Sequence, residues 1–98
     1  MPAYIVSRVA ARDPEQFALY RERAAPSIAR HGGRYLIRGG EATVLEGEWP
    51  ASRMLIVVEF PDRERAEAWY RSAEYARALE VREAALVRDL ILIDGVGG

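Results

Sequence analysis

The segment Arg53-Met54-Leu55-Ile56-Val57-Val58-Glu59-Phe60 constrains this chain more than any other. It has strand length and β-branched composition, and it is apolar at both alternating sets of positions. Such a strand has no wet face, so it belongs in the middle of a sheet with cover on both sides. In a chain of 98 residues that leaves room for one core and one domain, residues 1–98.

The sequence before it supplies a strand, a helix and a hairpin. Tyr4-Ile5-Val6-Ser7-Arg8-Val9 reads as a strand ending before the turn-prone Arg12-Asp13-Pro14. Asp13 as N-cap, Pro14 at the first helical position and Gln16 placed for a capping box start a helix. Its stripe is Phe17, Tyr20, Ala24 and Ile28. Pro26 should interrupt it with a kink near Ala24-Ala25, before a last turn reaching His31 and a stop at Gly32-Gly33. Arg34–Arg38 and Thr43–Glu46 flank Gly39-Gly40-Glu41-Ala42 and read as a β-hairpin, followed by a loop over 47–52.

After the central strand, Pro61-Asp62 opens a helix carrying Ala66, Trp69 and Tyr70. Ser72 caps a further helix through Tyr75, Leu79, Arg82 and Leu86. Leu90–Ile93 closes the sheet, and residues 95–98 form a loose tail. The order is β-α-β-β-α-β with a split second helix: an α+β, ferredoxin-like antiparallel sheet with helices on one face.

Alternation puts Met54, Ile56, Val58 and Phe60 under the helices. The other face then carries Arg53, Leu55, Val57 and Glu59 with Tyr4, Val6, Arg8, Arg34, Leu36 and Arg38. Leaving its apolar members in water would expose a patch larger than monomers usually carry, so the expected partner is a second copy, packed sheet to sheet as a homodimer.

Composition removes several function classes. A net charge of −1 with signs mixed along the chain offers no footprint for nucleic acid or an anionic membrane surface. All 14 basic residues are arginine, so any single arginine carries little information by itself. With no cysteine, disulfides and thiol chemistry are excluded, and one histidine leaves no metal or haem ligand set. Met1-Pro2-Ala3 runs straight into strand pattern and no apolar run approaches a membrane span, so the expected compartment is the cytoplasm.

The candidate site residues each carry two readings. His31 titrates nearest neutral pH and is the first candidate acid or base, yet at a helix end it also serves as a cap. Glu59, the second catalytic candidate, is either desolvated or paired with Arg34, Arg38 or Arg53, and those arginines bind an anionic or enolic ligand or only the carboxylate. Trp49, Trp69, Tyr70 and Tyr75 wall a pocket for a planar ligand, with a phenol oriented toward it, or pack the core. Gly32-Gly33 and Gly39-Gly40 precede no helix N-terminus and are turn glycines, not a phosphate loop.

The stretch His31-Gly32-Gly33-Arg34-Tyr35-Leu36-Ile37-Arg38-Gly39-Gly40 resembles the signature of the domain-of-unknown-function family 1330. Glu46-Gly47-Glu48-Trp49-Pro50, Arg53, Val58-Glu59-Phe60-Pro61 and Ala68-Trp69-Tyr70-Arg71-Ser72 with Glu74-Tyr75 are similar to it in order and spacing. Ala73 stands where the family pattern has proline. The resemblance implies a dimeric α+β barrel with pockets between sheet and helices, in a group where some relatives are cofactor-free monooxygenases or isomerases. Two functions follow as expectations: a cofactor-independent enzyme on a small aromatic or enolisable metabolite, or a non-catalytic dimeric module binding a metabolite or a protein. The sequence does not decide between them, and no cofactor is implied.

Overall fold

The computed structural model describes residues 1–50 and 52–97. Ala51 of the expected loop and Gly98 of the expected tail lie outside the described residues. The elements run β1 (Ala3–Ala11), α1 (Pro14–Arg30), β2 (Arg34–Arg38), β3 (Met54–Phe60), α2 (Arg63–Tyr70), α3 (Ala73–Ala85) and β4 (Leu86–Asp94). The strands form one antiparallel sheet in the order β2-β3-β1-β4, with β3 and β1 in its middle. This is the ferredoxin-like α+β arrangement. No helix among the described residues is long and apolar enough to cross a membrane.

Helix ends follow local chemistry. Asp13 Oδ1 accepts from the backbone N–H of Glu15 at 2.9 Å and of Gln16 at 3.3 Å, Asp62 caps α2 and Ser72 caps α3. At the far end of α1, Gly33 N–H donates to Ile28 O and Gly32 N–H to Ala29 O, with Gly32 at φ +80°, a Schellman stop. Pro26 does not interrupt the helix, which runs on to Arg30. The carbonyl it cannot serve belongs to Glu22, an exposed residue on the solvent side of the helix.

The core lies between the helices and one sheet face. Ala3, Ile5, Ser7 and Val9 of β1 and Val58 and Phe60 of β3 are buried beneath Phe17, Tyr20, Trp69 and Tyr75. Tyr4, Val6, Leu55 and Val57 take the opposite face, as alternation requires.

Three expectations need correction. Thr43–Glu46 is not a strand: β2 pairs directly with β3, and the chain leaves the sheet after Gly39, whose N–H still donates to Leu55 O. Leu86 is not helical, because β4 begins there, opposite Ala11, and pairs along the whole of β1. Arg38 is not on the open face. A bulge between Tyr35 and Ile37 leaves Leu36 without a register partner, so Ile37 opposes Val57 and Arg38 opposes the helix-facing Ile56.

Candidate functional site: a cavity between helices and sheet

A narrow cavity of about 40 Å³, room for a few waters, lies between α1 and the sheet. Its walls are mostly apolar: Ile5, Phe17, Ile56, Val58 and Trp69 among them. Three arginines, Arg21, Arg38 and Arg88, also line it, and no carboxylate does.

One polar cluster closes the cavity. Arg88 on β4 opposes the buried Val9, so its side chain enters the helix side of the sheet. Its two terminal nitrogens donate to Tyr20 Oη and Tyr75 Oη, each at 2.7 Å. The two hydroxyls lie 2.6 Å apart. Burial pushes the Tyr75 phenol well above its ordinary range. Burial would push Arg88 down, but the phenol oxygens that accept from it hold it above its ordinary value. The guanidinium is thus a partly buried charge with no carboxylate partner among the described residues.

Trp69 forms the wall beside the cluster. Its ring centre is 4.1 Å from that of Tyr75 and 5.5 Å from that of Phe60, and its indole N–H donates to Ser27 Oγ at 3.0 Å. That bond helps to fix the orientation of the ring, which lines the cavity.

The residues singled out in the sequence are scattered. Trp69 and Arg38 line the cavity, the latter with its guanidinium carbon 4.3 Å from the centre of the Tyr35 ring. Tyr70 packs edge-on against Trp69 but is 40% exposed and faces a flanking groove. His31 caps α1, with Nδ1 2.9 Å from Ser27 O, and does not line the cavity. Glu59 is on the open face, accepting from Arg34 Nε at 2.9 Å and Tyr4 Oη at 3.1 Å. Those two hydrogen bonds, Arg34 first, hold its carboxyl below the usual range. Arg53 lies 3.5 Å from Asp89 and, with Trp49, lines a separate shallow pocket under the chain leaving β2. The convergence of Arg38, Arg53 and Glu59 is therefore absent: the first is on one sheet face and Glu59 on the other.

Tyr20, Arg21 and Arg88 are the residues that sequence reasoning missed. For Arg88 the signal was present: with β4 begun at Leu86, alternation reads Leu86, Arg88, Leu90, Leu92, a base inside an apolar face. Arg21 likewise follows Phe17 by four residues, at the border of the buried stripe. Among the described residues no group of three or more His, Asp or Glu side chains is placed to hold a metal.

Solved structures share this fold. A protein of unknown function from Rhodopseudomonas palustris, RPA0582, superposes with a TM-score of 0.79 at 21% identity, covering 99% of this chain and 84% of that one. SnoaB from Streptomyces nogalater, described as a cofactor-independent oxygenase, superposes at 0.66 with 14% identity, covering 99% and 95%. A protein of unknown function from Bacteroides fragilis, described as dimeric with a ferredoxin-like fold, gives 0.55 at 13% identity, covering 96% of each chain. No curated protein matches the chain. The sequence profile of the domain of unknown function DUF1330 matches residues 2–96, nearly the whole length, and the chain belongs to that family.

Proposed function

We propose that this protein takes a small aromatic or enolisable metabolite into the helix–sheet cavity, which widens at its solvent-facing mouth to admit a body larger than the few waters it now has room for, and acts on it without a cofactor, holding the substrate's oxyanion on Arg88 and Tyr20. The observation that carries this reading is the guanidinium of Arg88, lodged between two phenols at the edge of an apolar cavity that no carboxylate lines. A cation left without a counter-ion in low-dielectric surroundings favours negative charge brought to it, and more so charge that develops during reaction.

Proton counting supports a donor beside it. Two hydroxyls carry two protons, and one lies between the oxygens. Tyr75 is fully buried and outside the cavity lining, whereas Tyr20 lines it. With Tyr75 donating to Tyr20, the Tyr20 proton is free for a ligand oxygen. Trp69 offers a flat wall, and the likeness to an oxygenase described as cofactor-independent agrees with chemistry on a stabilised enolate. His31 and Glu59 have no part in this reading.

Oxygen uptake with hydroxyarenes, and deuterium exchange of aromatic ketones followed by proton NMR, test it. Turnover lost in Arg88→Met and Tyr20→Phe but kept in His31→Ala and Glu59→Gln is the expected result. Turnover that survives Arg88→Met overturns the proposal.

One observation favours the non-catalytic alternative: neither a carboxylate nor an imidazole lines the cavity to take a proton. On that reading ligands raise the melting temperature and no substrate turns over.

The open sheet face supports a homodimer. Ile37, Val57, Val6 and Ile91 stand in register as one apolar row across all four strands. Ile91 and Ile93 are 55% and 49% exposed, and covering each such side chain contributes about 1.5–3 kcal/mol. A second copy packed on this face covers the row.

A further inference from the structure

We infer that the ligand is a dianion, with one acidic group on Arg88 and Tyr20 and a second, across a flat apolar body, between Arg21 and Arg38. The inference rests on the cavity reading above and adds the class of molecule that fills it. Arg21, on α1, and Arg38, on β2, are exposed residues that line the same cavity as the more deeply set Arg88. They stand where the cavity meets solvent.

Eight of the 14 arginines have no carboxylate within 4 Å among the described residues, and stacking on an aromatic ring singles out three of them. Arg8, Arg23, Arg30, Arg34, Arg53 and Arg63 each have a carboxylate within 4 Å. Arg21, Arg38 and Arg88 have none among the described residues. Each rests on an aromatic ring instead: Arg21 4.8 Å from the centre of Phe17, Arg38 4.3 Å from Tyr35, Arg88 5.4 Å from Tyr20. For Arg21 and Arg38, stacking holds the guanidinium plane and leaves its N–H edge free to take a carboxylate or phosphate by two parallel hydrogen bonds, whereas Arg88 already donates to the two phenols, which a ligand oxygen would join.

Arg21 and Arg38 also act on one spot. Tyr35 lines the cavity together with both of them and carries the Arg38 guanidinium 4.3 Å from its ring centre. A ligand anchored there by its remote acid would have its reacting end carried to Arg88, binding energy from the far group being used to place the near one. Because the proposed dimer uses the opposite sheet face, this mouth stays open in it.

Two probes of one skeleton separate the claims. Sorbate and trans,trans-muconate share a flat conjugated six-carbon chain and differ in a single terminal carboxylate. Calorimetric titration of the full chain should show muconate binding about tenfold more tightly than sorbate, the effect of one added charge-assisted contact. Arg21→Gln/Arg38→Gln should bring muconate to the sorbate affinity and leave sorbate unchanged, whereas Arg88→Met should weaken both. Both substituted positions at the mouth are exposed, so the double variant should keep the parent circular dichroism and melting temperature. Equal binding of the two acids by the parent protein, or an equal loss of both in the double variant, overturns the dianion and leaves the cavity reading standing. Binding of neither acid overturns the cavity reading and the dianion with it.

Discussion

The hydroxyls of Tyr20 and Tyr75 lie 2.6 Å apart although their helices are separate, and Arg88 on the last strand donates to both. The contact ties α1, α3 and β4 at one point in the core. It is polar where its surroundings are apolar, and it carries consequences for stability as well as for ligands.

Tyr75→Phe should destabilise the fold by about 1.5–3 kcal/mol, the usual range for a buried hydrogen bond to a charged group. Alkali should act on the same contact. Folding raises the Tyr75 pKa from its ordinary 10.0, so the folded state holds a proton that the unfolded state releases. This stabilisation is fully present below pH 10 and declines as pH rises beyond it. Urea titrations should show midpoints falling above that pH, with a shallower fall in Tyr75→Phe; an identical fall in both would refute the assignment.

Ser27→Ala leaves the Trp69 indole N–H buried without its acceptor. The expected loss is about 1–3 kcal/mol by chemical denaturation. Since Trp69 also walls the cavity, ligand affinity should drop in the same variant, and an unchanged affinity would show that the indole needs no such tether.

A Cβ at Gly33 would stand 2.7 Å from Ile28 Cγ2 and 2.7 Å from Phe60 Cε1. Gly33→Ala should therefore cost about 1–3 kcal/mol through overpacking. Gly40, where a Cβ meets nothing within 4 Å, provides the contrast, although its positive φ makes alanine mildly strained there. A Gly33→Ala melting temperature equal to or above that of Gly40→Ala would contradict the close approach.

Val57→Arg places a charge in the middle of the apolar row on the open face. In sedimentation equilibrium the parent chain should behave as a dimer and this variant as a monomer with an unaltered circular dichroism spectrum. A parent protein that sediments at the mass of one chain would remove the proposed interface.

Much of the framework was legible in the residues alone. Asp13-Pro14, Asp62 and Ser72 announce helix starts because a cap acts over a few residues, and Gly32-Gly33 announces a stop for the same reason. The faces of β1 and β3 follow from alternation. The site was less legible. Trp69 was recognisable as a wall or a core residue, but Arg38 was assigned to the wrong face and Arg88 to no element, because one depends on a bulge and the other on where a helix hands over to a strand.

By itself, then, the sequence determined the element types, most of their limits, and which side of the central strands meets the helices, since these depend on periodicity and on contacts a few residues apart. The tertiary structure alone decided that Arg21, Arg38 and Arg88 share one cavity with Tyr20 and Tyr75 while Glu59 stays on the other face. The bulge at Leu36 is set by pairing with β3, and the start of β4 at Leu86 by pairing with β1. Neither boundary carries a glycine or proline to mark it, so competition among distant strand partners, and not local propensity, places the charges.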